Sequence, residues 1–135
     1  MRQSSYRYLG LLDLVLVAAL VGVFGPAALT TSVGVPAMAV AGMLALLAGV
    51  VAELSVGTVT VTWRHLIGAS YALFAVAVPA VYAPVVLTGS AGGEELLLFV
   101  VSTIGGLSLL FYGVDVARGG RHFEVESNVE RSIGV

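Results

Sequence analysis

The sequence of 135 residues contains neither cysteine nor lysine. Without cysteine, disulfides, thiolate metal ligands and cysteine nucleophiles are all excluded. Charged residues are also scarce, at 10% of the chain against roughly 25% in an average soluble domain. Hydrophobic residues make up 59%. This balance indicates a chain whose main solvent is lipid.

Long stretches without charge set the number of membrane crossings. They run between Asp13 and Glu53, over most of 66–93, and over 96–114. A helical crossing needs about 20 apolar residues, so the first stretch holds two helices and each of the others holds one. Lipid cannot satisfy exposed backbone groups, and the alternation typical of barrel strands is missing, so the predicted fold class is all-α with four transmembrane helices.

Glycine, proline and polar residues give the predicted helix boundaries. The predicted helices are Tyr8–Phe24, Pro36–Ser55, Trp63–Tyr82 and Glu94–Ala117. Residues 57–62 alternate threonine and valine, but a single short strand has no pairing partner, so we predict an extended connection. Residues 119–135 are predicted to be a flexible tail.

The first apolar run could be a cleaved signal peptide, but two features argue against this. Asp13 interrupts the run, and residues 36–52 are further membrane sequence rather than a polar mature domain. We therefore predict a retained first helix.

Arginine placement predicts the orientation in the membrane. Four crossings place all six arginines on one side, and the positive-inside rule assigns that side, with both termini, to the cytoplasm. The absence of lysine, with abundant alanine, valine and glycine, indicates a microbial source, and we expect a prokaryotic cell membrane. Only Glu94 and Glu95 lie on the opposite side.

The chain carries an internal repeat, which we place at about 7–56 and 63–118. Val23–Gly34 aligns with Val81–Gly92 without a gap and matches at valine, proline, leucine, threonine, serine and glycine. The same offset aligns Leu9-Gly10 with Ile67-Gly68. The alternative is chance similarity between segments rich in alanine, valine and leucine. A duplicated two-helix unit gives two copies of the same orientation.

Two segments carry a resemblance to a known family. Trp63–Gly68 looks like an aromatic opening of a helix, and Tyr82–Ser90 looks like a turn around Pro84. In this the chain resembles the SPW-repeat small membrane proteins, although the signature serine and tryptophan are replaced by Ala83 and Val85 here and by Gly25 and Ala27 in the first unit. The resemblance implies tandem two-helix units and transfers no catalytic residue.

Acidic residues at membrane depth are the candidate site, because ionisable groups are costly there. Asp13, Glu53 and Asp115 are predicted to lie in the cytoplasmic leaflet. One hypothesis groups them with Arg64, His65 and Arg118 in a polar vestibule that binds an ion, a proton or a lipid head group. The alternative is that each acid is solvated or paired, with Asp115 and Arg118 three residues apart as a helical ion pair.

Small residues predict where helices approach closely. In the second helix, Ala41, Ala45 and Gly49 repeat at steps of four and lead to Glu53, which would then point into a helix interface. An alanine-rich helix also produces such a stripe by composition alone. In the last helix, Gly105 and Gly106 are the corresponding packing candidates.

The sequence gives little support for a metal site, a catalytic site or a nucleic-acid-binding site. His65 and His122 have no second ligand at metal-site spacing. A nucleophile with a base, a phosphate-binding loop and an arginine cluster dense enough for nucleic acid are also missing. We therefore expect no cofactor and no enzyme, but a structural or accessory membrane subunit or a homo-oligomeric module. A small ion, proton or lipid transport protein is the alternative.

Overall fold

A computed structural model describes residues 2–134 of the chain. It is mostly helical, with a small three-stranded sheet that the all-α prediction did not include. A short 3₁₀ turn at Gln3–Ser5 leads into the first helix. In chain order the elements are α1 Tyr6–Phe24, α2 Ala28–Thr31, α3 Gly34–Val50, β1 Glu53–Val56, β2 Val59–Thr62, α4 Trp63–Leu87, α5 Gly93–Ala117 and β3 Ser132–Gly134.

Three helices are long and apolar enough to cross a membrane, as expected of a membrane protein. They are Gln3–Phe24, which includes the 3₁₀ turn, Trp63–Leu87 and Gly93–Ala117. Helix α3 is apolar but shorter, at 17 residues. These four helices pack in chain order, with α1 on α3, α3 on α4 and α4 on α5.

The second predicted helix ends five residues early. Helix α3 stops at Val50, and Val51 is already extended. The side chain of Gln3 donates from Nε2 to the carbonyl oxygens of Ala48 and Val51, at 2.9 and 3.0 Å, and so satisfies backbone groups that a helix end leaves unpaired. The chain then enters β1.

Residues 57–62, predicted to be an unpaired connection, contain strand β2. It pairs antiparallel with β1 through a two-residue turn, with Val56 opposite Val59 and Glu53 opposite Thr62. Gly57 begins that turn with a φ of 60°, a conformation that glycine adopts at little cost. The pairing partner was overlooked because the prediction placed 53–55 in a helix.

The tail is docked rather than free, contrary to the prediction. Strand β3 pairs parallel with β1, and Arg2 bridges Glu126. Val125 is buried in the main hydrophobic cluster. The sheet order is β2-β1-β3. Two strands come from the connection between α3 and α4, and the third comes from the tail. They meet at one end of the helices, which we name the sheet end.

The hydrophobic cluster lies near the sheet end. Tyr6, Ala45, Ile67 and Val116 are each 0% exposed and come from α1, α3, α4 and α5, respectively. Toward the opposite end, called here the loop end, the helices pack through small residues and most large apolar side chains face outward.

Candidate functional site

The predicted polar vestibule does not form in the described part of the chain. Its six members are spread over α1, β1, α4 and the end of α5. The ion pair that the structure shows joins Asp115 to His122, which was not among them. The interpretation that each acid is solvated or paired therefore fits two of the three acids, Asp115 and Glu53.

Asp115 binds the tail rather than Arg118. His122 Nδ1 lies 2.9 Å from Asp115 Oδ1, and the backbone N–H groups of His122 and Phe123 each donate to Oδ2 at 3.0 Å. Asp115 is buried, whereas Arg118 is exposed. The predicted helical ion pair is wrong because Gly119 and Gly120, both at positive φ, turn the chain back toward the carboxylate.

Glu53 and His65 lie outside any enclosed site. Glu53 is exposed on β1, so it does not point into a helix interface as predicted. His65 is also exposed, and its Nδ1 lies 2.8 Å from the hydroxyl of Thr62, the residue that precedes α4. Glu53 therefore belongs to the connection between α3 and α4, and His65 to the first turn of α4.

Arg64 is half-buried and held by its neighbours. Its guanidinium carbon lies 4.8 Å from the ring centroid of Trp63, and Nη1 donates to the carbonyl of Val116 at 3.4 Å. With Arg2 it lines a cleft of about 650 Å³, which Glu124 and Glu126 also line. Two guanidinium groups and two carboxylates give this cleft no net charge, so its chemistry favours neither an anion nor a cation.

Asp13 is the predicted site residue with the most unusual surroundings. It is 5% exposed, although it lies in an apolar helix. A Cβ built on Gly42 would collide with Asp13 Oδ2, so the carboxyl lies directly against the backbone of α3. Within residues 2–134, Oδ2 has no hydrogen-bond partner.

The small-residue stripe of α3 packs inside the chain. Ala41 and Ala45 are 0% exposed, and the hydroxyl of Ser70 on α4 donates to Ala41 O at 2.8 Å. Gly49 lies against the backbone of Arg7 on α1. The stripe therefore joins α3 to both neighbouring helices, and it ends before Glu53.

The two packing glycines predicted in α5 differ. A Cβ on Gly106 would collide with the backbone of Ala75 on α4, whereas a Cβ on Gly105 would meet nothing within 4 Å. Gly106 therefore sets the close approach of α4 and α5. Gly105 faces outward and does not pack against another helix in the described residues.

Several polar residues at the sheet end were missed by the sequence analysis. Gln3 is 0% exposed and accepts a hydrogen bond from the Ser127 hydroxyl at 3.0 Å, in addition to its bonds to α3. The hydroxyls of Tyr6 and Tyr112 are 3.0 Å apart. The alternation of apolar and acidic residues from Phe123 to Glu126 was the one available signal that the tail has a buried face.

An apolar cleft of about 600 Å³ lies at the loop end, between α1, α2, α3 and α4. It is lined mainly by apolar side chains such as Phe24 and Val81, with Thr31, Ser32 and Tyr82 as polar members. The cleft holds no acid or base, so it is suited to apolar groups and not to acid–base chemistry.

The comparisons with known proteins establish the family. The model of a family described as "Family of unknown function (DUF7994)" matches residues 1–129. The chain belongs to this family. No curated protein and no solved structure gives a significant match to it.

Proposed function

We propose that the chain is a non-enzymatic integral protein of a prokaryotic cell membrane, acting as an accessory or structural subunit or as a homo-oligomeric module. One observation carries this proposal. In the apolar 18-residue stretch of each of the three long helices, only 17%, 17% and 11% of the residues are buried inside the chain. Such extensive apolar surface has to be covered by lipid or by other protein.

Helix α3 supplies the fourth crossing in this proposal. Its 17 residues span about 25 Å at 1.5 Å per residue, near the lower limit for the hydrocarbon core. It packs between α1 and α4, both long enough to cross. Because α3 is covered by a crossing helix on each of two sides, its position supports a passage through the hydrocarbon core as well.

The distribution of charge supports cytoplasmic termini. Arg7, Arg64 and Arg118 lie at the ends of helices beside the sheet, and Arg2 and Arg131 lie in the terminal segments docked there. The loop end carries Glu94 and Glu95 in the first turn of α5. By the positive-inside rule, the sheet end faces the cytoplasm.

The packing of equivalent glycines supports a tandem duplication with units at about 7–56 and 63–118. Gly10 of α1 lies against the backbone of Gly42 in α3, and its counterpart Gly68 of α4 lies against the backbone of Gly113 in α5. Each glycine thus brings together the two long helices of its own hairpin. A relationship to the SPW-repeat proteins stays a prediction on the resemblance alone.

The polar groups support a structural role over a transport role. Asp115 binds the tail, and Gln3 binds the end of α3. Glu53 is exposed on the sheet. Asp13 lines none of the five best-formed clefts of the described residues. A water-filled path to a buried acid, which transport requires, is thus not supported.

Purification in a mild detergent followed by native mass spectrometry tests the proposal. We expect a complex heavier than one chain of 13.8 kDa, containing further copies or a co-purifying protein. A single chain carrying lipid only would contradict the subunit proposal. In parallel, liposomes with the protein should keep a proton gradient as well as empty liposomes do; rapid dissipation that Asp13→Asn abolishes would favour transport instead.

A further inference from the structure

Asp13 differs from every other carboxyl side chain in the described residues. Five of the remaining seven are exposed, Glu95 is half-buried, and Asp115 accepts hydrogen bonds from the tail. Asp13 alone is buried with an oxygen that has no partner in residues 2–134. We propose that Asp13 is a proton-binding site, held as the neutral carboxylic acid between α1 and α3 at neutral pH.

The surroundings of Asp13 offer no counter-charge. Helix α3, against which the carboxyl lies, has no ionisable side chain from Gly34 to Val50. On α1 the nearest basic residue is Arg7, six positions away, and its guanidinium donates to the Tyr8 hydroxyl at 2.6 Å. The backbone N–H of Gly42 lies beside the carboxyl, but no cation does. An ionised carboxylate without a counter-charge would be costly in this apolar interior, whereas the neutral acid is much less so.

The titratable groups of the other helices are engaged elsewhere. On α4, Tyr71 packs its ring against Tyr6 and Tyr112, with centroids 6.4 and 4.9 Å apart. On α5, Asp115 faces His122 of the tail. In the described part of the chain, no ion pair reaches Asp13. Its protonation is therefore set by the apolar contact between α1 and α3.

The geometry selects a proton over a metal cation. A cation needs several oxygen ligands, and residues 2–134 contain no cluster of three acids or histidines that could hold one. The carboxyl is in direct contact with Gly42, and Leu14 Cγ lies 3.2 Å from the position a Cβ on that glycine would take. This close packing leaves space for the smallest ligand, a proton.

Proton binding in the folded state couples helix packing to pH. If the folded chain keeps a proton that the unfolded chain releases, stability must fall as pH rises, by up to about tenfold in the folding equilibrium constant per pH unit. The inference goes beyond the proposed subunit role, because an accessory protein does not require a titrating group in its core. It is also independent of transport, since a proton can be bound without being carried across.

The amino-acid composition provides a direct test, because Asp13 and Asp115 are the only aspartates. The wild-type protein is labelled with ¹³C at the aspartate side-chain carboxyl and reconstituted in liposomes, and its NMR spectrum is recorded from pH 5 to pH 9. At pH 7 we expect one signal at the position of a neutral acid and one at that of a carboxylate. Asp115→Asn assigns the signals by removing the second.

Two results would overturn the inference. The first is a spectrum in which both aspartates are ionised at pH 7, which the wild-type protein decides without any variant. The second comes from thermal unfolding in detergent. We expect the stability of the wild type to fall between pH 5 and pH 9 and that of Asp13→Asn, whose amide mimics the neutral acid, to vary less. Equal pH dependence in both proteins would contradict a role for Asp13.

Discussion

Asp115 and His122 join the end of the last long helix to the tail, with 2.9 Å between Oδ1 and Nδ1. Two backbone N–H groups of the tail bind the other carboxylate oxygen. Since hydrogen bonds to an ionised acceptor are stronger than neutral ones, this carboxylate is the main polar link that directs the tail toward the sheet. The tail then supplies Val125 to the core and β3 to the sheet.

Replacing Asp115 should therefore release the tail while leaving the helices intact. Asp115→Asn removes the negative charge, so the bonds that its amide keeps to the two N–H groups and to His122 are neutral and weaker. We expect amide hydrogen exchange in 121–134 to become roughly tenfold faster, with exchange in α4 unchanged. Glu124→Gln, an exposed acid in the same segment, is the matched control. Unchanged exchange in Asp115→Asn would show that the other contacts of the tail, such as Val125 in the core and the β3 pairing, are sufficient to hold it.

Gln3 connects three parts of the chain, and its loss should weaken all of them. Its amide donates to two carbonyls at the end of α3 and accepts from Ser127. Leucine has a similar size but satisfies none of these groups, and each buried polar group left unpaired costs about 1–3 kcal/mol. We expect Gln3→Leu to lower the midpoint of thermal unfolding in detergent.

A second variant separates the hydrogen bonds of Gln3 from its packing. Gln3→Glu keeps the shape but replaces the donor by an acceptor that faces the carbonyls of Ala48 and Val51. It should destabilise the protein at least as much as leucine does. If either variant unfolds at the wild-type temperature, the cap at the end of α3 does not contribute to stability.

Elements whose determinants are local in the sequence are predictable from it, and elements that depend on distant contacts are not. The starts and ends of α1, α4 and α5 were predicted within a few residues, apart from the end of α4, because apolar runs and neighbouring glycine and proline residues define them. The end of α3 depends on Gln3, more than 40 positions away, and β1 pairs with β3 almost 80 positions further along the chain. No local pattern encodes such contacts.

The same distinction applies to the candidate site. The depth of Asp13 in a helix could be predicted from the length of the apolar run. The side of the helix on which Asp13 lies could not, because α1 is apolar on nearly all sides. Asp115 was matched with Arg118 by spacing, whereas its true partner depends on the turn at Gly119 and Gly120.

Gly105 and Gly106 form a matched pair for testing helix packing. Because a Cβ at position 106 would collide with the backbone of α4, Gly106→Ala should force α4 and α5 apart and cost about 1–3 kcal/mol. Position 105 is open, so Gly105→Ala should be neutral or stabilise the helix by at most about 1 kcal/mol. Thermal unfolding of the two variants in one detergent measures the difference. Equal destabilisation would indicate that Gly105 also packs, against another chain.

The absence of native cysteine makes the orientation directly measurable, because a single introduced thiol is the only reactive one. Ser132 lies exposed on β3 at the sheet end, and Ser90 lies exposed at the loop end. We expect a membrane-impermeant maleimide to label Ser90→Cys in intact cells, and to label Ser132→Cys only after the membrane is made permeable.

The number of crossings can be argued from the ends of α1 and α4. If α3 did not cross the membrane, the first residues of α1 and of α4 would lie on opposite sides of it. Tyr6 and Trp63 lie at these two ends and pack together, with ring centroids 6.2 Å apart, which favours the proposed fourth crossing. Labelling of Ser132→Cys in intact cells would contradict the proposed orientation.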